Sequence, residues 1–399
     1  MSRRPRFPWI PLLVGAAIAV VLVVVGIVSV TRSDWGRARV LTFTLEKIGG
    51  KLQGRLRVER LSGNLLTGAR LYRVTLDDLG GTRLLAADSA YIDYRLPTFI
   101  SGDLVIRRLE LYNPRVFLRR LPGDSLWNYQ HILQDTTPSD STIGNAILID
   151  RLRMVNGSVE VQIPWTPDST MTPRQRARQI ADILSDTSVL AVRTVPGGYL
   201  RSMTFRVDTA NVSQLTIAPD EKGGMFLRIL SGAMDANLYR GEPLRVRQVK
   251  GQLALRDGVV RYQVPSVSLP GSRLETEGMI DIRGGALKYD VLMNGDSVAL
   301  RDMQWLFPRY PDAGRASFRA AIETRPEGLL VRMRDLRLTA PGTRVAGAFG
   351  MVLGDSVIFT DLNLRAKPVD VPTVQRFLPT DIPVRGLRLG EIEVHSPAS

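Results

Sequence analysis

The sequence predicts a mainly β protein behind an N-terminal transmembrane helix, and three observations carry that expectation. One uncharged apolar run opens the chain, period-two alternation recurs after it, and a 71-residue repeat occupies the later half. Alternation places apolar side chains on one face of a strand and polar ones on the other. A fixed period of this size means units that bury their faces on neighbours, giving an elongated architecture.

The first element is the anchor. No charged residue occurs from Phe7 to Thr31, and Ile10 to Val30 is almost wholly apolar. A helix over that stretch, at roughly 1.5 Å per residue, crosses a ~30 Å hydrocarbon layer. A cleaved signal peptide is the competing reading. Its apolar region is usually ~7–15 residues and ends at a small-residue site, whereas Val28-Ser29-Val30 leads to no Ala-x-Ala. Arg3, Arg4 and Arg6 precede the run, so the positive-inside tendency puts residues 1–32 down as cytoplasmic N-terminus and anchor, with the bulk outside the cytoplasm.

Beyond the anchor, Ser33 is positioned to cap a short helix carrying Val40, Leu41, Leu45 and Ile48, ended by Gly49-Gly50. Strand-like runs follow from Gly54, punctuated by Gly63-Asn64, Gly80-Gly81, Asn113-Pro114 and Asn156-Gly157 as expected turns. Residues 33–163 form one β module. Residues 164–243 form a second, less regular β region. It contains an expected helix over Thr172 to Leu184, with Thr172 as cap, Pro173 at the first helical position, and Ala177, Ile180, Ile183 and Leu184 on one face. Gln134 to Asn145 is a polar loop.

Residues 244–399 hold the repeat. Pro270-Gly271-Ser272-Arg273-Leu274 returns as Pro341-Gly342-Thr343-Arg344-Val345, and Trp305-Leu306-Phe307-Pro308 as Arg376-Phe377-Leu378-Pro379, both 71 residues on. Each unit reads as several strands followed by a short helical stretch, Ser297 to Phe307 or Pro368 to Leu378. A third unit barely begins, and an uncapped final strand leaves an edge that proteins normally protect. A chain continuing beyond Ser399 is therefore expected.

Composition narrows the chemistry. The absence of cysteine removes disulfides, cysteine-based zinc sites and thiol catalysis. Net charge is +14, and 47 of the 53 basic residues are arginine, scattered rather than clustered, which argues against a nucleic-acid stripe. A field of that sign suits an anionic membrane surface or an acidic partner, as it also suits solvated strand faces. His131 and His395 stand in no metal-ligand spacing, and no nucleophile elbow, phosphate-binding loop or dinucleotide loop is present. Asp77-Asp78 reads as part of a turn, and Glu275 and Glu277 as the polar side of a strand. No pair of acids is singled out for catalysis. The expectation is a protein that is not an enzyme and needs no cofactor and no metal.

The positive chemistry is apolar. Ile92, Tyr94 and Leu96 alternate with Tyr91, Asp93 and Arg95. Val159, Val161 and Ile163 stand against Ser158, Glu160 and Gln162. Val260, Tyr262 and Val264 follow, then Leu287, Tyr289, Val291 and Met293. The first twelve apolar positions named here, without Met293, are the candidate lipid-binding residues. A two-layer sandwich gives the same alternation with its faces packed on each other. An open, curved sheet would offer those faces to lipid chains at a gain of roughly 0.8 kcal/mol per buried CH₂.

One further pattern bears on this choice. Gly63, Leu65 or Leu66, Gly68, Leu71, Val74 and Leu76 form a G-x-L-x-x-G-x-x-L-x-x-V-x-L run, followed by A-D-x-A-x-I-x-Y at Ala87 to Tyr94 and G-x-L-x-I-x-x-L-x-L-x-x-P-x-V-x-L from Gly102 to Leu118. Gly123, Trp127, Asn128 and Leu133 fit a G-x-W-N-x-x-x-L close. In this order behind a single anchor, the chain resembles the AsmA and TamB group of bacterial inner-membrane-anchored proteins. The resemblance covers the anchor and residues 33 to 163, and the repeat after 243 more loosely; the insert from Thr166 to Tyr199 departs from the group's pattern. It implies an elongated, curved antiparallel β groove crossing the periplasm, with phospholipid as the cargo moved between inner and outer membranes. It also implies the alternative of an assembly scaffold that binds an outer-membrane barrel protein by strand addition.

Overall fold

The computed structural model describes residues 54–64, 68–94, 104–133, 147–167, 171–185, 192–217, 224–237, 242–283, 287–354, 357–377 and 392–395. The apolar run at 10–30, the helix expected near residue 40, the polar loop at 134–145 and Leu96 lie outside them. No described helix is long and apolar enough to cross a membrane.

Nineteen described strands join one sheet. It starts with two collinear short strands, β1 (Gly54–Arg57) and β2 (Arg60–Asn64), both paired to β3 (Gly68–Asp78). Next comes β4 (Arg83–Tyr94), and then another broken strand, β5 (Leu104–Tyr112) and β6 (Arg115–Arg119), interrupted at Asn113-Pro114. A helix, α1 (Asn128–Leu133), lies in the connection to β7 (Ile147–Trp165), which runs parallel to β5 and β6. The sheet is therefore mixed, not wholly antiparallel. The crossover that carries α1 is what allows the parallel join.

After β7 come α2 (Pro173–Ser185), β8 (Val192–Val195) and β9 (Gly198–Ile217), then an antiparallel meander of β10 (Met225–Asn237), β11 (Leu244–Arg256), β12 (Val259–Ser268), β13 (Arg273–Asp281) and β14 (Lys288–Ala299). It continues through β15 (Arg315–Arg325), β16 (Gly328–Ala340), β17 (Thr343–Leu353) and β18 (Val357–Ala366) to α3 (Val371–Gln375) and β19 (Ile392–His395).

A sheet of this many strands has to curl, and bulges help it do so. Gln214, Asp335 and Asp361 adopt positive φ (56°, 52° and 51°) at breaks in strand register. Asn156-Gly157, expected as a turn, instead lies inside the 19-residue β7, with Asn156 at φ 52°. Gly157 is needed there because a Cβ would stand 2.8 Å from both Pro114 Cγ and Met154 Sδ.

Bonding recurs at the 71-residue spacing. Backbone N–H of Ala299 donates to Ser272 Oγ (2.8 Å), and N–H of Asp370 donates to Thr343 Oγ1 (2.9 Å). Asp302 then holds Gly271 N–H (2.7 Å) and Ser272 Oγ (2.6 Å), while Thr373 Oγ1 donates to the Pro341 carbonyl (2.9 Å). Each hairpin turn is thus pinned to the short helix that ends its unit. Those helices are shorter than expected. β14 runs on to Ala299, leaving only a 3-10 turn at Leu300–Met303, and α3 covers Val371–Gln375.

Candidate functional site: an apolar wall and its plug

The cross-strand registers assemble apolar residues into rows perpendicular to the strands. In one row Leu253, Tyr262, Gly278, Val291, Ile322, Val331, Met351 and Phe359 succeed one another from β11 to β18. No charged residue interrupts it. At ~4.8 Å between strands the row is roughly 34 Å long. Gly278 creates its one dip, since a Cβ there would overlap the Asp290 carbonyl. Beside it a second row takes Val264, Thr276, Met293, Ala320, Met333 and Phe349.

Cover over the first row is uneven along its length and is least at its end on β18. Val291 and Val331 are 7% and 8% exposed, Ile322 and Met351 are half-buried, and Phe359 is 54% exposed beside Ile358, also at 54%. Tyr262 is half-buried with its hydroxyl 3.3 Å from Thr276 Oγ1, and burial raises its phenol above the usual value. The opposite face carries Gln263, Glu275, Glu277, Asn294 and Arg319 around a depression of about 620 Å³, with Leu292 exposed among them.

At the other end of this surface the interior is filled. Trp127 and Tyr129 lie 6% and 3% exposed with Ile163 (2%) and Ile282 (9%). Val161 and Met203 pack on them from β7 and β9, and Leu255, Val260, Ile280 and Leu287 from the meander. Two distant stretches of sheet therefore meet through α1. The W-N pair explains how α1 is held. Asn128 Nδ2 donates to the carbonyls of Phe117 (2.6 Å) and Arg83 (3.2 Å), and its Oδ1 accepts from Arg119 N–H (3.0 Å). Arg120, 7% exposed, stacks 5.7 Å from the Trp127 ring and donates from Nη2 to the Ile282 carbonyl. Burial pulls its guanidinium down from the usual value, with Asp124 and Asp281 opposing.

The predicted residues divide accordingly. Tyr262 and Val291 share the long row, Val260 and Tyr289 both pair with Ile280 in the adjoining one, and Val264 begins the second. Val161, Ile163, Val260 and Leu287 gather at the Trp127 plug. Ile92 packs in two small cores of the N-terminal strands, and Val159 pairs with Val116 and Phe205, away from the row. Tyr94 pairs with Ile106 in the backbone register. Alternation misled at the end of β7, where Gln162 is 3% exposed and not solvated, because Arg119 and Arg193 donate to its Oε1.

Ile322, Met333, Phe349 and Met351 were not singled out from sequence. Shifting Tyr262 and Ile280 by 71 lands on Met333 and Met351, a signal the repeat already contained. Asp77 and Asp78 close β3 and are 6% and 9% exposed. Asp77 takes a bidentate bond from Arg83 (2.6 and 3.2 Å), and Asp78 Oδ1 accepts Thr82 N–H (2.6 Å). His131 Nε2 lies 2.8 Å from Asp124 Oδ2. Among the described residues no group of His, Asp and Glu is arranged to hold a metal.

The chain matches no protein-family model, no curated protein and no solved structure.

Proposed function

We propose that this chain is an AsmA/TamB-like, inner-membrane-anchored protein whose periplasmic sheet holds lipid acyl chains along its apolar wall and passes phospholipid between membranes. The observation that carries the reading is the uncharged row from Leu253 to Phe359, left partly open on β15–β18. A chain methylene gains about the same ~0.8 kcal/mol at each apolar position, so a lipid shifted along such a wall changes its energy little per step. No catalytic group is required.

Photocrosslinking in cells tests this. A photoreactive residue replacing Ile322 or Met351 is expected to give phosphate-labelled lipid adducts, and one replacing Glu275 on the opposite face to give none. Met351→Asp, at a half-buried position, in the chain that carries the probe at Ile322 should remove the adducts while the protein accumulates normally. Equal labelling from both faces, or no lipid adduct at either wall position, overturns the reading. Adducts to an outer-membrane barrel protein in place of lipid would transfer the site to the scaffold alternative.

A further inference from the structure

α2 is unlike every other described helix in lying outside the sheet. None of its residues is buried, and among the described strands its main contact is with the short β8. Thr172 caps it, exchanging hydrogen bonds with Gln175. On a helical wheel Ala177, Ile180, Ala181 and Leu184 form one apolar stripe, and Arg174 and Arg176 flank it on either side. Ile180 and Ile183 are half-covered, whereas Ala177, Ala181 and Leu184 are exposed, Leu184 at 37%. Arg178 faces Asp182 across 3.9 Å on the polar side, so the helix carries three arginines against one acid.

Its place in the fold supplies the second observation. The registers put the β3–β4 turn, the ends of β6 and β7 and the β8–β9 turn at one end of the N-terminal strands. Gly54, paired with Asp78, brings the chain into the sheet at that same end, 24 positions after the apolar run closes at Val30. Leu79 (54% exposed) and Leu121 (42%) project there, and α2 leaves from the end of β7.

We propose that α2 lies on the anionic surface of the membrane that holds residues 10–30, with Ala177, Ala181 and Leu184 in the headgroup–acyl boundary and the arginines against lipid phosphates. An apolar stripe edged by arginine is the pattern of an interfacial helix. The inference rests on the anchor reading above, and its test separates the two.

The chain contains no cysteine, so single-cysteine labelling is clean. Full-length protein is reconstituted into vesicles of brominated phosphatidylglycerol and phosphatidylcholine, with a bimane probe at Val20→Cys, Leu184→Cys or Asp182→Cys. Quenching is expected at 20 and 184 and not at 182. Replacing Arg174, Arg176 and Arg178 by Glu, or omitting phosphatidylglycerol, should return the 184 probe to the level of the 182 probe, since loss of three arginine charges near the surface alone lowers the partition constant roughly 100-fold. Quenching at 20 but not at 184 overturns the α2 proposal and leaves the anchor standing. No quenching at 20 overturns both.

Discussion

The two ends of the sheet use the same alternation and treat it differently. Around β6, β7 and β9 the apolar face is closed by α1, leaving Ile132 at 1% and Ile163 at 2% exposed. Across β15–β18 the cover is uneven: Val331 is 8% exposed, Ile322 and Met351 are half-buried, and Phe359 is 54% exposed. The difference lies in one connection. A parallel join needs a long crossover, and the crossover between β6 and β7 brings Trp127 and Tyr129 with it. In the repeat the short helices sit at the strand ends, where they pin the turns and set Leu300, Met303 and Phe377 into the core that takes in the second row, leaving the first row with less cover.

That contrast is broken most severely at the plug. Trp127→Ala should cost about 3–5 kcal/mol, the usual range for deleting a buried Trp, read as a lower denaturation midpoint. Met351→Ala in the row should cost less, about 1–2 kcal/mol, because part of its side chain stays in solvent. Equal losses at the two positions would mean that the row is as tightly filled as the plug.

A middle-sized effect is expected at Arg120, whose side chain bonds across the plug to Ile282. Arg120→Met keeps the apolar stem but leaves the buried Ile282 carbonyl without this donor, at a cost of about 1–3 kcal/mol. Hydrogen exchange should quicken in residues 117–133 while β15–β18 stay unchanged. Uniform quickening would show that the two regions open together.

How much of this was legible in the sequence follows from the range of the interactions. Alternation and the turn glycines gave the strands, and the 71-residue spacing located matching hairpin turns whose hydroxyl–amide bonds recur at Ser272 and Thr343. Thr172 and Pro173 marked the start of α2 to the residue. What local pattern could not carry was which faces become covered. Gln162 reads as solvated and is buried by arginines from β6 and β8, and Ile163 reads as open wall yet meets Ile282, 119 positions away in sequence. Likewise the parallel β6–β7 pairing depends on where a long connection lays its helix, which no period of two or 3.6 encodes.

The smallest expected effect tests the rim where the plug meets the meander. Asp281 accepts from Arg283 Nε (2.9 Å), Nη2 (2.6 Å) and N–H (2.9 Å), and these bonds hold its carboxyl at about 2, below the ordinary 3.8. A carboxyl depressed on folding stabilises the native state above its unfolded value, and that contribution fades as pH falls through the folded one. The pair therefore contributes fully above about pH 4 and is lost on the way to pH 2. Because Arg283 is 62% exposed, solvent screening keeps the contribution small. Asp281→Asn should flatten the stability–pH curve slightly between pH 4 and 2 and leave it parallel to the parent at neutral pH. A variant as acid-sensitive as the parent would show that the acid response arises elsewhere.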